Sequence, residues 1–230
     1  MADAVFVTGT DTGVGKSLVA AALLAAAGVR GLRTVGLKPI AAGAERSAVG
    51  LRNEDAELLI RAMNLALPYH EVNPVVLEPP IAPHLALARR GERLTAQELR
   101  ARCEPALQHG HELAVVEGAG GWRVPLAGHE TLAELARLLG FPVVLVVGMR
   151  LGCLNHALLT AEAIRSDGLP LAGWVANVVD PHMACLQENV ATLDALLGAP
   201  RLGLIPWQPG IGAKDVAGLL DLSPLLSGGA

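Results

Sequence analysis

The chain has 230 residues and a formal net charge of −4, with 52% hydrophobic and only 17% charged residues. That balance excludes disorder and supplies the core of one α/β domain over residues 1–230. It carries no basic run, which excludes a nucleic acid held through its phosphates, and its longest apolar stretch (18–27) is too short to cross a bilayer.

Taken in order, Met1-Ala2-Asp3-Ala4 is acidic and leads into a strand, so no signal peptide is expected. An apolar strand at 5–8 runs into Gly9-Thr10-Asp11-Thr12-Gly13-Val14-Gly15-Lys16-Ser17, and an Ala- and Leu-rich helix over 17–27 follows, closed by Gly28. Strand, glycine-bearing loop ending Gly-Lys-Ser, and helix form the layout of a phosphate-binding loop, in which backbone N–H groups face a polyphosphate. Lys16 can reach the outer phosphates and the Ser17 hydroxyl can ligate magnesium. Thr10 stands where the usual pattern has its first glycine, with Gly9 one residue early. The flanking strand and helix therefore carry the reading.

A second strand over 34–38 is halted by Pro39, which cannot donate to a ladder. Small residues at 41–50 read as a loop, and 54–64 as an amphipathic helix. Five prolines between 68 and 83 predict a segment that wraps the edge of the sheet. Helices follow at 86–90 and 96–108, then a strand at 113–117 and the glycine-rich 118–121. A helix at 131–139, a wholly apolar and hence central strand at 142–147, a helix at 155–166, a strand at 171–178, a helix at 184–197 and a short strand at 202–205 complete the pattern. This alternation predicts an α/β fold: a doubly wound, mostly parallel sheet flanked by helices, like the phosphate-loop NTPases.

In such a sheet ligands gather beyond the carboxyl ends of the strands. Those ends carry the phosphate loop, Lys38, Glu117, Gly148-Met149-Arg150, Asn177 and Pro206. Glu117 leaves a buried strand beside glycines that permit close backbone approach, a place for magnesium or its waters. Lys38 ends a strand where its charge could stabilise a transferring phosphoryl group. Asp55 opens a helix, where an acid serves the helix dipole as readily as a metal. Asn177 could read a base edge or merely end its strand. Arg150 to His156 opens a helix after the central strand, a second possible anion site; Cys153 and His156 are three apart there, but no orienting partner supports a thiolate pair. Three widely spaced cysteines (Cys103, Cys153, Cys185) argue against a disulfide framework and for a reducing, cytoplasmic setting.

Seven segments, in order and spanning nearly the whole chain, together resemble the dethiobiotin synthetase family: residues 6–17, Gly-Leu-Lys-Pro-Ile-Ala (36–41), Leu-Arg-Asn-Glu-Asp-Ala (51–56), Val-Glu-Gly-Ala-Gly-Gly-Trp (116–122), Leu-Gly-Cys-Leu-Asn-His-Ala (151–157), Gly-Trp-Val-Ala-Asn (173–177) and Ile-Pro-Trp (205–207). The resemblance implies an ATP- and Mg2+-dependent enzyme of biotin synthesis. In that reaction 7,8-diaminononanoate takes up CO2 as a carbamate, the carbamate is phosphorylated by ATP, and the second amine closes the ring, releasing ADP and phosphate.

Carried over by position, Gly13, Val14, Gly15, Lys16, Ser17 and Leu18 would hold the triphosphate, and Ser17, Asp55 and Glu117 the magnesium. Lys16 and Lys38 would stabilise charge on the γ-phosphate and carbamate, with Lys38 the catalytic lysine. Thr12, Ala42 and Gly121 would lie by the substrate, and Gly118, Ala119 and Gly120 would border nucleotide and substrate. Asn177, Val178, Pro206, Trp207 and Gln208 would meet the nucleotide base. Family members are homodimers whose substrate tail crosses to the neighbouring subunit, where Leu151, Gly152, Cys153 and Asn155 would receive its carboxylate. The chain departs from many relatives at Ala42, where a serine touches the substrate, and after Trp207, where Gln208 replaces an acidic residue.

Two other readings share the phosphate loop. A corrinoid amide synthetase needs a further glutaminase domain, for which 230 residues leave no room. A partitioning or septum-positioning ATPase switch normally carries a lysine near the loop's start, where this chain has Asp11, and often a basic membrane-binding tail, whereas residues 219–230 hold no basic residue.

Overall fold

The structure, a computed structural model, describes residues 3–226. Met1, Ala2 and residues 227–230 lie outside it, and with them the ends of the expectations for the N-terminus and the tail. In chain order the elements are β1 (Asp3–Gly9), α1 (Lys16–Val29), β2 (Thr34–Leu37), β3 (Ile40–Ala42), β4 (Glu45–Ser47), β5 (Gly50–Arg52), α2 (Glu54–Ala62), α3 (Tyr69–Val72), β6 (Val75–Leu77), α4 (Pro83–Arg89) and α5 (Ala96–Leu107). There follow β7 (Leu113–Glu117), α6 (Leu132–Leu139), β8 (Val143–Met149), α7 (Cys153–Ser166), β9 (Leu171–Val178), α8 (Leu186–Leu196), β10 (Arg201–Ile205) and α9 (Ala213–Ala217).

Six strands form one parallel sheet in the order β10-β9-β8-β1-β7-β2. Successive side chains of a strand point to opposite faces. Val5, Val7, Val115, Val144 and Val146 accordingly pack with α1, α2 and α9 on one side. Phe6, Val116, Val143, Leu145 and Val147 face α5, α6, α7 and α8 on the other. Both faces are covered, which is why β7 and β8 read as unbroken apolar runs.

The expected architecture holds, with local corrections. Gly28 does not end α1: the helix continues to Val29, and Gly31 (φ +83°) makes the turn, with Gly31 N–H donating to Gly28 O and Leu32 N–H to Ala27 O. These are the paired bonds of a Schellman cap, which needs its left-handed residue three positions beyond Gly28. The expected loop at 41–50 holds β3 and the β4–β5 hairpin, and the proline-rich segment supplies α3 and β6, which pairs in parallel with β3. Helix α4 starts at Pro83, whose missing N–H costs nothing in a first turn. Strand β8 runs on to Met149, so Gly148 and Met149 are ladder residues. Helix α9 carries no strong sequence signal.

Candidate functional site

Register brings the chemistry together. Leu37 pairs with Val116, and Val7 pairs with Glu117, so the residues that leave β2 and β7 emerge side by side next to the phosphate loop. Lys38 is pinned through its backbone: its N–H donates to Val72 O (2.8 Å) and its carbonyl accepts from Asn73 Nδ2 (2.6 Å). Asp55 is placed by the cap of α2, where the Asn53 side chain accepts from Asp55 N and Ala56 N while its own amide donates to Ala42 O.

The side chains then meet. Lys38 Nζ donates to Glu117 Oε1 in a very close contact, to Asp55 Oδ2 at 2.9 Å and to Gly118 O at 3.2 Å. Ser17 Oγ donates to the same Glu117 Oε1 at 2.8 Å. Lys16 Nζ folds back onto Asp11 O at 2.9 Å. Burial drives the Lys16 ammonium down to about 8, helped by the like charge of Lys38. Burial also works against the charged form of Lys38, but Glu117 and Asp55 more than offset it and hold that ammonium above its ordinary range. Asp55 is pushed up by burial yet pulled lower overall by Lys38, whereas in the fully buried Glu117 burial prevails and raises the carboxyl.

These groups line a cavity of about 730 Å³. Of the residues singled out in the sequence, Thr12, Gly13, Gly15, Lys16, Ser17, Lys38, Ala42, Asp55, Glu117, Ala119 and Gly120 line it. Val14 and Gly118 are buried behind the wall and Leu18 packs into the core. Asn177 Nδ2 donates to Val14 O at 2.8 Å, fastening the loop to the end of β9. Gly121, Val178, Pro206, Trp207 and Gln208 lie outside the cavity lining, Trp207 half exposed, and so do Leu151, Gly152, Cys153 and Asn155. Cys153 is buried while His156 is exposed. Arg150 is no free anion receptor: it pairs with Asp11 at 2.5 Å.

The lining also includes Ala41, Pro80, Ile81, Ala82, Pro83, Arg123, Val124 and Pro125, which sequence reasoning missed. Apolar residues set between prolines were the available signal for 80–83. Arg123 is held by Asp167 (2.8 and 3.0 Å), which also accepts from Trp122 Nε1 at 2.7 Å. The lining thus combines charged groups with aliphatic ones.

Ser17, Asp55 and Glu117 offer oxygen donors only, and Glu117 Oε2 is buried with no hydrogen-bond partner among the described residues. Among those residues no three His, Cys, Asp or Glu gather. The set fits a hard cation shared with a phosphate ligand, not one caged by protein.

Residues 3–215 match a family model described as an AAA domain. The septum site-determining protein MinD complexed with Mg-ADP from Pyrococcus horikoshii aligns with a TM-score of 0.57 at 17% identity, covering 97% of this chain and 89% of that one. A ParA family ATPase from Chlorobium tepidum aligns with a TM-score of 0.55 at 12% identity, covering 91% and 86%. At such identities the likeness is one of fold, that of phosphate-loop NTPases. The ATP-dependent dethiobiotin synthetase BioD of Cellvibrio japonicus is 56% identical over 223 residues, 97% of each chain. That of Pseudomonas paraeruginosa is 56% identical over 222 residues, 96% of this chain and 97% of the other. With more than half of its residues shared along nearly its full length, the chain belongs to the ATP-dependent dethiobiotin synthetase family.

Proposed function

We propose that the chain closes the ureido ring of dethiobiotin from 7,8-diaminononanoate, CO2 and ATP. The observation that carries this reading is the meeting of Lys16, Lys38, Ser17, Asp55 and Glu117 in a cavity whose lining also holds a set of aliphatic residues. The charged groups suit phosphates, and Ala41, Ala42, Ile81, Val124 and the prolines suit a methylene chain.

One amine takes up CO2, and the carbamate oxygen attacks the γ-phosphorus of ATP with ADP leaving. The second amine then attacks the carbonyl carbon of the mixed anhydride, and phosphate leaves. The barrier lies in gathering three reactants and in carrying the charge that develops. The N–H groups at 13–17 hold the phosphates at the start of α1. Lys16 neutralises the outer phosphates, and Lys38 faces the oxygens of carbamate and γ-phosphate. Ser17, Asp55 and Glu117 would hold a magnesium ion, which supplies further charge neutralisation to the phosphates.

Ala42 offers no hydroxyl, so the carbamate takes its hydrogen bonds from Lys38 and the backbone. Asn177, Val178, Pro206, Trp207 and Gln208 border the base. A second copy of the chain supplies the tail-carboxylate site at 151–155, where Leu151 is 97% exposed. The three cysteines are free, as suits a reducing cytoplasm. Phosphate release measured with ATP, Mg2+, bicarbonate and the diamine, each omitted in turn, tests the reading: release should require the diamine.

A further inference from the structure

Lys38 has three N–H donors, and all three have protein acceptors: Asp55 Oδ2, Glu117 Oε1 and Gly118 O. Its side chain is only 4% exposed. An ammonium so engaged has no proton left to offer a carbamate or phosphate oxygen. The role proposed above therefore requires Lys38 to give up at least one partner.

The acids, in turn, need a cation. Glu117 is fully buried and Asp55, partly exposed, stands beside it, so their two negative charges lie close together with little water between them unless a cation joins them. Lys38 meets that need imperfectly, because it and Ser17 both bond Glu117 Oε1 while Oε2, equally buried, is left without a partner among the described residues. Lys16 is parked in the same manner, on the carbonyl of Asp11. The formal charges of Lys16, Lys38, Asp55 and Glu117 cancel, so these four groups are balanced among themselves.

We propose that Lys38 is the resident counter-ion of the Asp55–Glu117 pair, and that it yields those carboxylates to a divalent cation when one binds there. The freed ammonium then turns into the cavity, toward the carbamate. This rests on the reading of Ser17, Asp55 and Glu117 as metal ligands. Its consequence is a coupling: Lys38 becomes available to the carbamate once the metal has taken over the two carboxylates.

The exchange is tested by Mn2+ binding without nucleotide, followed by electron paramagnetic resonance, in the wild-type chain and in Lys38→Met. Removing the competing ammonium should tighten Mn2+ binding at least about tenfold, and Asp55→Asn or Glu117→Gln should weaken it in either background. Equal affinity in wild type and Lys38→Met, with the acid variants still weakened, would leave the metal ligands standing and overturn the exchange. Binding indifferent to Asp55 and Glu117 would overturn both. A Lys38→Met chain that does not fold leaves the wild type to decide. Only Lys16, Lys38 and Lys214 occur in the sequence, so lysine labelled with 13C gives three side-chain signals, each assigned by a Lys→Arg variant. Titration with Mg2+ alone should move the Lys38 signal to saturation and leave Lys214 still; a static Lys38 signal would overturn the proposal.

Discussion

Ser17 Oγ donates to Glu117 Oε1 across 2.8 Å, joining the first turn of α1 to the last residue of β7. The bond spans 100 residues of chain and exists because β1 and β7 are neighbours in register. Glu117→Gln keeps the shape and an oxygen for Ser17 but removes the charge. The account predicts a folded protein whose turnover falls about 100-fold, checked by phosphate release beside a thermal melt.

Asn177 and Gly15 form the other fastening. Gly15 has φ +91°, and a Cβ there would stand 2.2 Å from Asn177 Nδ2, the group that holds Val14 O. Gly15→Ala should combine left-handed strain of about 1–2 kcal/mol with that collision and abolish ATP binding. Gly13→Ala, at φ +74° but with open space around the new methyl, should suffer the strain alone and retain weakened binding. Calorimetric titration with ATP separates the two.

Arg150 and Asp11 are both about half exposed, so breaking their pair should change stability by less than about 1 kcal/mol. The Asp11 carbonyl nevertheless receives Lys16. Arg150→Ala is therefore expected to raise KM for ATP several-fold with kcat nearly unchanged, as steady-state kinetics at varied ATP will show.

Lys16 has its ammonium lowered from 10.5 to about 8 by burial and by Lys38. Between those values the folded chain binds fewer protons than the unfolded one, so this group makes stability rise with pH over that window. Phosphates placed beside it favour the charged form. ATP binding near pH 8.5 should thus take up a proton, seen as a binding enthalpy that varies with the ionisation enthalpy of the buffer. In Lys16→Arg the uptake should vanish, since a guanidinium stays protonated throughout.

The sheet and its helices were legible because both faces are covered, which makes β7 and β8 continuously apolar, and because Gly15-Lys16-Ser17 follows a strand and opens a helix. Lys38 and Glu117 were legible as strand ends, but not their contact, which depends on β2 lying beside β7, a pairing between segments nearly 80 residues apart. The scarcity of lysine was a signal left unread: two of the chain's three lysines lie in this cavity. The β4–β5 hairpin escaped because strands of three residues show no period. Pro80 to Pro83 escaped because prolines mark a bend without saying what it encloses. Arg123 gave no sign of Asp167, its partner across 44 residues.

The most direct measurement is phosphate release by the purified chain with ATP, Mg2+ and bicarbonate, with and without 7,8-diaminononanoate, alongside Lys38→Ala. The account predicts release only when the diamine is present, one phosphate for each dethiobiotin formed, and none from Lys38→Ala although it still binds ATP. Release that ignores the diamine, or undiminished turnover by Lys38→Ala, would contradict it.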